Sequence, residues 1–163
     1  MMNFTEFLAE QEPKTLYVSR PVFIQDAEKI VAWAKSQGFE KTLQPNDMHI
    51  TIAFSREPVV WTKWPRDLTI QTVQPGGRSV AALGDKGAIV LKVQGQYLQD
   101  KWQKFIDGGA SWDYDSYTPH ITITYDGSNV DLTNVVPYQG PVLLRGEQWA
   151  EVKLDWDKTV KET

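Results

Sequence analysis

One short pattern occurs twice and constrains most of what this chain can become. The first copy is His49-Ile50-Thr51, inside Asp47-Met48-His49-Ile50-Thr51-Ile52-Ala53-Phe54. The second is His120-Ile121-Thr122, inside Thr118-Pro119-His120-Ile121-Thr122-Ile123-Thr124-Tyr125. These are the only 2 histidines of the chain, and they stand 71 residues apart. Each opens a β-branched, alternating run, which predicts a strand. At a period of two, His and Thr share one face and the isoleucines share the other. Each strand then offers an imidazole and a hydroxyl to one side while its other side packs into a core. Two such strands facing one cleft bring four polar groups around one ligand. A lone histidine in a strand is more often a hydrogen-bonded structural residue. That both histidines fall at equivalent positions is the argument for a paired site.

The rest of the chain supplies a matching frame. Asn3 to Glu12 reads as a short helix or arm with Phe4, Phe7 and Leu8 on one side, ended by Pro13. Thr15 to Ser19 reads as a strand. The stripe Ile24, Ala27, Ile30, Val31 and Ala34 predicts a helix, closed by Gly38 at C′. The first His strand runs to about Ser55. Strands are predicted over Leu68–Val73, Arg78–Leu83 and Ala88–Val93, the last two joined by a turn at Gly84-Asp85-Lys86-Gly87. That turn lacks the strand, spacing and Ser/Thr of a phosphate loop. Tyr97, Leu98, Trp102, Phe105 and Ile106 have helical spacing within Gln94–Asp107, with Trp102 on the apolar stripe. A polar, aromatic loop, Ala110–Pro119, leads into the second His strand. Asn129–Tyr138 holds a short strand or helical turn. Pro141–Glu147 and Trp149–Asp155 close the chain as two strands joined or bulged near Gly146, followed by a polar tail from Lys158 to Thr163. Each half therefore reads as strand, helix, His strand, further strands. This predicts one α+β domain over residues 1–163, made of two similar lobes with both His strands lining the groove between them.

Composition narrows the function classes. A chain of 163 residues with 41% hydrophobic and 23% charged residues matches a soluble globular domain with a full-sized core. The net charge of −4 argues against a broad surface for long DNA or RNA, since such binding rests on phosphate neutralisation. The absence of cysteine removes disulfides, thiolate metal sites and a cysteine nucleophile. No 18-residue apolar stretch and no signal-peptide pattern is present, which predicts a cytoplasmic protein without a membrane partner. The 7 tryptophans are many for this length, and aromatic faces serve either a core or stacked bases.

Two histidines near neutral pH form an acid–base pair, one taking a proton while the other gives one. Hydroxyls two residues along each strand donate to the non-bridging oxygens of a phosphate. The suited reaction is transfer at a phosphodiester. One His deprotonates a ribose 2′-hydroxyl or a water, and the other protonates the leaving oxygen. Which His does which is open at this level. The rival use is a metal site completed by Asp47, Asp113 or Asp115, but the spacing follows no zinc signature. Asp47 shares the parity of His49, which suits it either to orient the imidazole or to cap the turn.

A His-x-Thr/Ser motif in two strands, here His49-x-Thr51 and His120-x-Thr122, resembles the signature of the 2H phosphoesterase superfamily. The resemblance implies a bilobal α+β fold with two antiparallel-sheet lobes and flanking helices around a central cleft. It also implies a two-histidine site that needs no metal or other cofactor. The wider chain resembles a narrower group, the phage anti-CBASS nucleases. The resemblance lies in the chain length, in Leu16-Tyr17-Val18-Ser19, in the stretch His49 to Trp61 with its Phe54-Ser55-Arg56-Glu57-Pro58-Val59, and in Pro119-His120-Ile121-Thr122. It implies cleavage of 3′–5′ linkages in the cyclic di- and oligonucleotides that bacteria use as antiviral signals, in the host cytoplasm if the gene is a phage's. His49, Thr51, His120 and Thr122 are then the catalytic set. Tyr17, Trp61, Trp64, Glu147 and Trp149 are the substrate-binding candidates. A tryptophan stacked on a base contributes about 1–3 kcal/mol, and Glu147 can accept from a base amino group. For Trp61 and Trp64 a core position is equally open, and Glu147 beside Gly146 fits a solvated hairpin as well. Lys14, Arg56, Lys63 and Arg78 are candidates to steer an anion. The motif reads only the phosphate. Opening of 2′,3′-cyclic phosphates on RNA ends or on small cyclic nucleotides, and a non-catalytic nucleotide sponge, therefore remain as alternatives.

Overall fold

Apolar alternation turns the two His runs into strands with one buried face each. In the computed structural model, which describes residues 3–5, 11–84 and 86–153, β2 (His49–Val59) and β6 (His120–Thr124) open with the same burial sequence. Ile50, Ile52, Ile121 and Ile123 are fully buried, while His49, Thr51, His120 and Thr122 remain half-buried on the opposite face. Burying an isoleucine contributes about 1.5–3 kcal/mol. A slip of one residue would exchange the two faces and forfeit that burial, so the register is firmly held. The predicted arm with Phe7 and Leu8, Asp85 of the turn, the last residues of the final strand (Leu154 and Asp155) and the polar tail lie outside the described residues.

Each His strand pairs with the strand that precedes it across a helix. β1 (Lys14–Pro21) runs antiparallel to β2, with helix α1 (Ile24–Ser36) between them in sequence. β5 (Ala88–Lys92) runs antiparallel to β6, with α2 (Gln96–Asp107) between them. β4 (Ser79–Leu83) flanks β5, and β8 (Gln148–Ala150) flanks β1. The two three-stranded sheets are thus ordered β2-β1-β8 and β6-β5-β4. A separate ribbon pairs β3 (Gln71–Val73) with β7 (Val142–Leu144).

The repeat is closer than the sequence alone suggested, for a displacement of 71 residues carries one unit onto the other without insertion. Pro21 pairs with His49 and Ser19 with Thr51; Lys92 pairs with His120 and Val90 with Thr122. Both His strands are bulged one residue past the threonine, because Val18 faces Ala53 and Ile89 faces Thr124. Both helices end at a C′ glycine with positive φ, Gly38 at 100° and Gly109 at 107°, where a side chain would be strained.

The core is filled from both units. Ala27, Ile30 and Ala34 of α1 and Leu98 and Phe105 of α2 are buried in one cluster with the strand isoleucines. Ile24, assigned to the apolar stripe by spacing, is instead exposed. Asp26 is buried at the start of α1 because its Oδ2 accepts the Leu143 amide at 2.8 Å, tying the helix to β7.

Three strand expectations are corrected. Of Leu68–Val73 only Gln71–Val73 is a strand, and Leu68 and Ile70 are exposed. The Asp67 and Thr69 carbonyls accept from the buried Arg20 guanidinium rather than from a neighbouring strand. The two closing strands are not partners but belong to different sheets. The turn between them is held by Pro21, which accepts the Arg145 amide, and by Asp67, which accepts that of Glu147. Residues 129–138 form no regular element; their Val136 carbonyl and amide are taken by Trp33 and Gln37 side chains.

Candidate active site

β2 and β6 pack against each other, which sets the two motifs side by side. Tyr117 reinforces the junction. It is buried just before β6, and its hydroxyl donates to the Thr51 carbonyl at 2.7 Å. Its ring stacks on Trp102 at 5.5 Å, so the helix tryptophan assigned to the core does pack inward and braces the approach to β6.

The two imidazoles are anchored in the same way. His49 Nδ1 lies 2.8 Å from the Asp47 carbonyl, and His120 Nδ1 lies 2.8 Å from the Thr118 carbonyl. A carbonyl only accepts, so each Nδ1 carries the proton and each neutral ring presents an unprotonated Nε2. Asp47 does orient His49, but through its backbone rather than its carboxylate. Burial pushes the His120 pKa down; the Thr118 carbonyl opposes this, and the nearby charges of His49 and Lys92 push it down further.

Tyr17 is the sequence candidate that reaches this site. Its hydroxyl lies 2.9 Å from His49 Nε2 and 3.1 Å from Thr51 Oγ1. Burial raises its pKa, so it stays a phenol. Two further aromatics, missed by strict alternation, share the face. The bulges reverse the parity beyond Ile52 and Ile123, which turns half-buried Phe54 and Tyr125 toward the His and Thr side. The Phe54 ring lies 5.9 Å from Tyr17, and Tyr125 acts electrostatically on the Tyr17 hydroxyl. The available signal was the matching aromatic five residues after each histidine.

The other candidates lie elsewhere. Trp149 pairs with Val18, so it faces away from Tyr17 and Ser19, against Phe105 at 5.6 Å and Trp61 at 6.0 Å. Trp61 is half-buried in that group, with its Nε1 donating to the Thr15 carbonyl and Lys14 over its ring. Trp64 is buried on Phe105 and donates to the Lys104 carbonyl, a core position. Glu147 is neither solvated nor near the histidines. It is buried, accepts from the Asp67 amide and Trp149 Nε1, and lies 3.6 Å from Lys101 Nζ. The polar cleft of about 490 Å³ that Glu147 lines with Arg20, Arg66 and Lys101 does not include the histidines.

Among the steering candidates, Arg78 is consumed by three carbonyls, and Arg56 pairs with Asp113 at 3.1 Å over the Phe54 ring. Lys63 donates to the Gly108 carbonyl. Among the described residues, no group of three His, Cys, Asp or Glu side chains is placed to hold a metal ion, and no helix is long and apolar enough to cross a membrane.

The fold and sequence both have counterparts. The crystal structure of E. coli LigT complexed with 3′-AMP superposes with a TM-score of 0.57 at 15% identity, covering 88% of this chain and 90% of that one. A second crystal structure, of a phosphoesterase, gives 0.58 at 14% identity. These likenesses establish a 2H phosphoesterase-like fold. An anti-CBASS protein Acb1 of Sphingomonas paeninsulae is 40% identical over 161 residues, covering 94% of this chain and 26% of that protein. The corresponding protein of Enterobacteria phage T4 is 32% identical over 161 residues, covering 99% of this chain and 100% of that one. The chain thus spans about a quarter of the two bacterial relatives, from Sphingomonas and Caulobacter, and the whole of the phage T4 one. With the family model for anti-CBASS protein Acb1 matching residues 14–159, the chain belongs to the Acb1 anti-CBASS family.

Proposed function

We propose that this chain is a metal-independent phosphodiesterase that cuts 3′–5′ linkages of cyclic di- or oligonucleotides, removing the signals on which CBASS defence depends in the cytoplasm of the infected cell. The observation that carries this reading is the matched anchoring of His49 and His120, each with Nδ1–H fixed to a carbonyl two residues back and a threonine hydroxyl beside it. His120, kept neutral by burial, is the base that accepts the proton of the attacking 2′-hydroxyl or water. His49 in its protonated form delivers a proton to the leaving oxygen. Thr51 and Thr122 donate to the non-bridging oxygens as charge builds there. Phe54 and Tyr125, related by the same repeat, lie on the His and Thr side, where aromatic rings can stack on bases.

The test incubates purified protein with a panel of cyclic di- and trinucleotides in EDTA and follows products by chromatography and mass spectrometry. Linear or cyclic-phosphate-ended products are expected. Intact ligand recovered after denaturing the protein would replace cleavage with sequestration. Faster turnover of RNA ends bearing 2′,3′-cyclic phosphates would reassign the substrate.

A further inference from the structure

The two half-sites share a fold, an anchoring bond and a bulge, yet their side chains differ: Ser19 matches Val90, Phe54 matches Tyr125, and Tyr17, which reaches His49, has no hydroxyl at its matching position. Tyr17 stands two residues before Ser19, the partner of Thr51. The matching position in β5, two residues before Val90, is Ala88. The His49 half therefore carries a phenol where the His120 half carries a methyl group.

The phenol oxygen lies 2.9 Å from His49 Nε2 and 3.1 Å from Thr51 Oγ1. An oxygen accepting from both a histidine and a threonine of one motif would lie at those distances. With His49 neutral, the directions are fixed. Nε2 has only a lone pair, so Tyr17 donates to it, and Thr51 then donates to the Tyr17 oxygen. With His49 protonated, the chain reverses, and the phenol oxygen accepts from Nε2–H. His49 is occupied in both states; Thr51 gives its proton to the phenol in the neutral state, whereas in the protonated state it accepts from the phenol and its own O–H is released. Burial keeps the hydroxyl protonated, so it cannot leave the site as a charged phenolate.

We propose that the Tyr17 hydroxyl is an internal occupant of the His49 half-site, holding the seat of a phosphoryl oxygen, so that a phosphodiester first engages the His120 half through the Thr122 hydroxyl and reaches His49 only by displacing the phenol. The inference rests on reading the paired motifs as a phosphoryl site. It makes the order of engagement a property of one residue. A ligand whose phosphate cannot expel the hydroxyl remains bound on the His120 side, out of reach of its acid. Tyr17 thereby discriminates between phosphoryl ligands that are held and those that are cleaved.

The test titrates inorganic phosphate at pH 7 into wild type, Tyr17→Phe and Ala88→Tyr, following the two imidazoles separately by NMR. In wild type the His120 signals respond at lower phosphate than those of His49. Tyr17→Phe lowers the phosphate needed to move His49 by about two- to tenfold, the equivalent of one released net hydrogen bond, and leaves His120 within about twofold. Ala88→Tyr installs the phenol in the other half and weakens the His120 response by a similar factor. An unchanged or weakened His49 response in Tyr17→Phe, with both imidazoles still sensing phosphate, overturns the proposal and makes Tyr17 a ligand-holding group. Phosphate that moves neither imidazole in wild type or Tyr17→Phe removes the phosphoryl reading as well. Tyr17→Phe deletes one oxygen and keeps the ring, so it decides the question even if Ala88→Tyr does not fold.

Discussion

Replacing either histidine with alanine separates catalysis from structure, because the site asks little of these side chains for stability. His49 and His120 are half-buried at the first residue of their strands, and each anchors its ring through one bond to a backbone carbonyl. A neutral hydrogen bond of that kind contributes about 0.5–1.5 kcal/mol net. For a domain of this size, 1 kcal/mol moves Tm by about 2–4 °C, so either alanine variant should melt within about 6 °C of wild type. In the proposed mechanism each ring moves a proton at opposite ends of the same phosphodiester, and each such step is worth about 10²- to 10⁴-fold. The single variants should therefore lose at least about 100-fold in kcat. The double variant should be little worse, since groups acting as one unit do not add. The assay is kcat on a cyclic dinucleotide in EDTA, with Tm measured on the same samples. A kcat within tenfold of wild type in either variant would refute the two-histidine mechanism. Activity lost in EDTA and restored by zinc or manganese would replace it with a metal.

The environment of His120 also predicts a pH dependence. Its native pKa is below the ordinary 6.5, so between 6.5 and the lower native value the unfolded chain holds the extra proton. Stability should fall as pH drops through that window, and His120→Gln should flatten this part of the urea-midpoint profile; an unchanged slope would count against the burial argument. Tyr117→Phe removes a buried donor from the Thr51 carbonyl and should cost about 1–3 kcal/mol in denaturant melts. A loss below about 0.5 kcal/mol would show that this bond does not couple the two strands. Trp64→Ala empties a buried site against Phe105 and should cost about 3–5 kcal/mol while leaving kcat per folded molecule near wild type. Wild-type-like stability with lost ligand binding would return Trp64 to the ligand side.

The two His strands, the helices before them and the equivalence of the motifs could be read from the chain because each depends on local periodicity. His49, Thr51, Ile50 and Ile52 fall on opposite faces by parity alone. The bulges could not be read this way, and with them went Phe54 and Tyr125, since an inserted residue reverses every face beyond it. Trp149 and Glu147 were hidden for a different reason. Whether a three-residue strand presents one side or the other depends on which residue of β1 it meets, and that choice is made by tertiary contacts. Leu68 and Ile70 imitate a strand, but the backbone beside them is bound by Arg20, a partner distant in sequence.

The pairing of Trp149 with Val18 bears on how the protein comes off the ribosome. Strands β4 to β6 are neighbours in sequence and can assemble as soon as their own segment emerges. The first sheet cannot, for its third strand is made long after β1 and β2, and until then one edge of β1 offers unpaired amides and carbonyls. Closing that edge is a long-range event, slow by its sequence separation. The nascent chain thus carries an open, strand-hungry margin until β8 is made, the state in which chaperone binding or aggregation competes with folding.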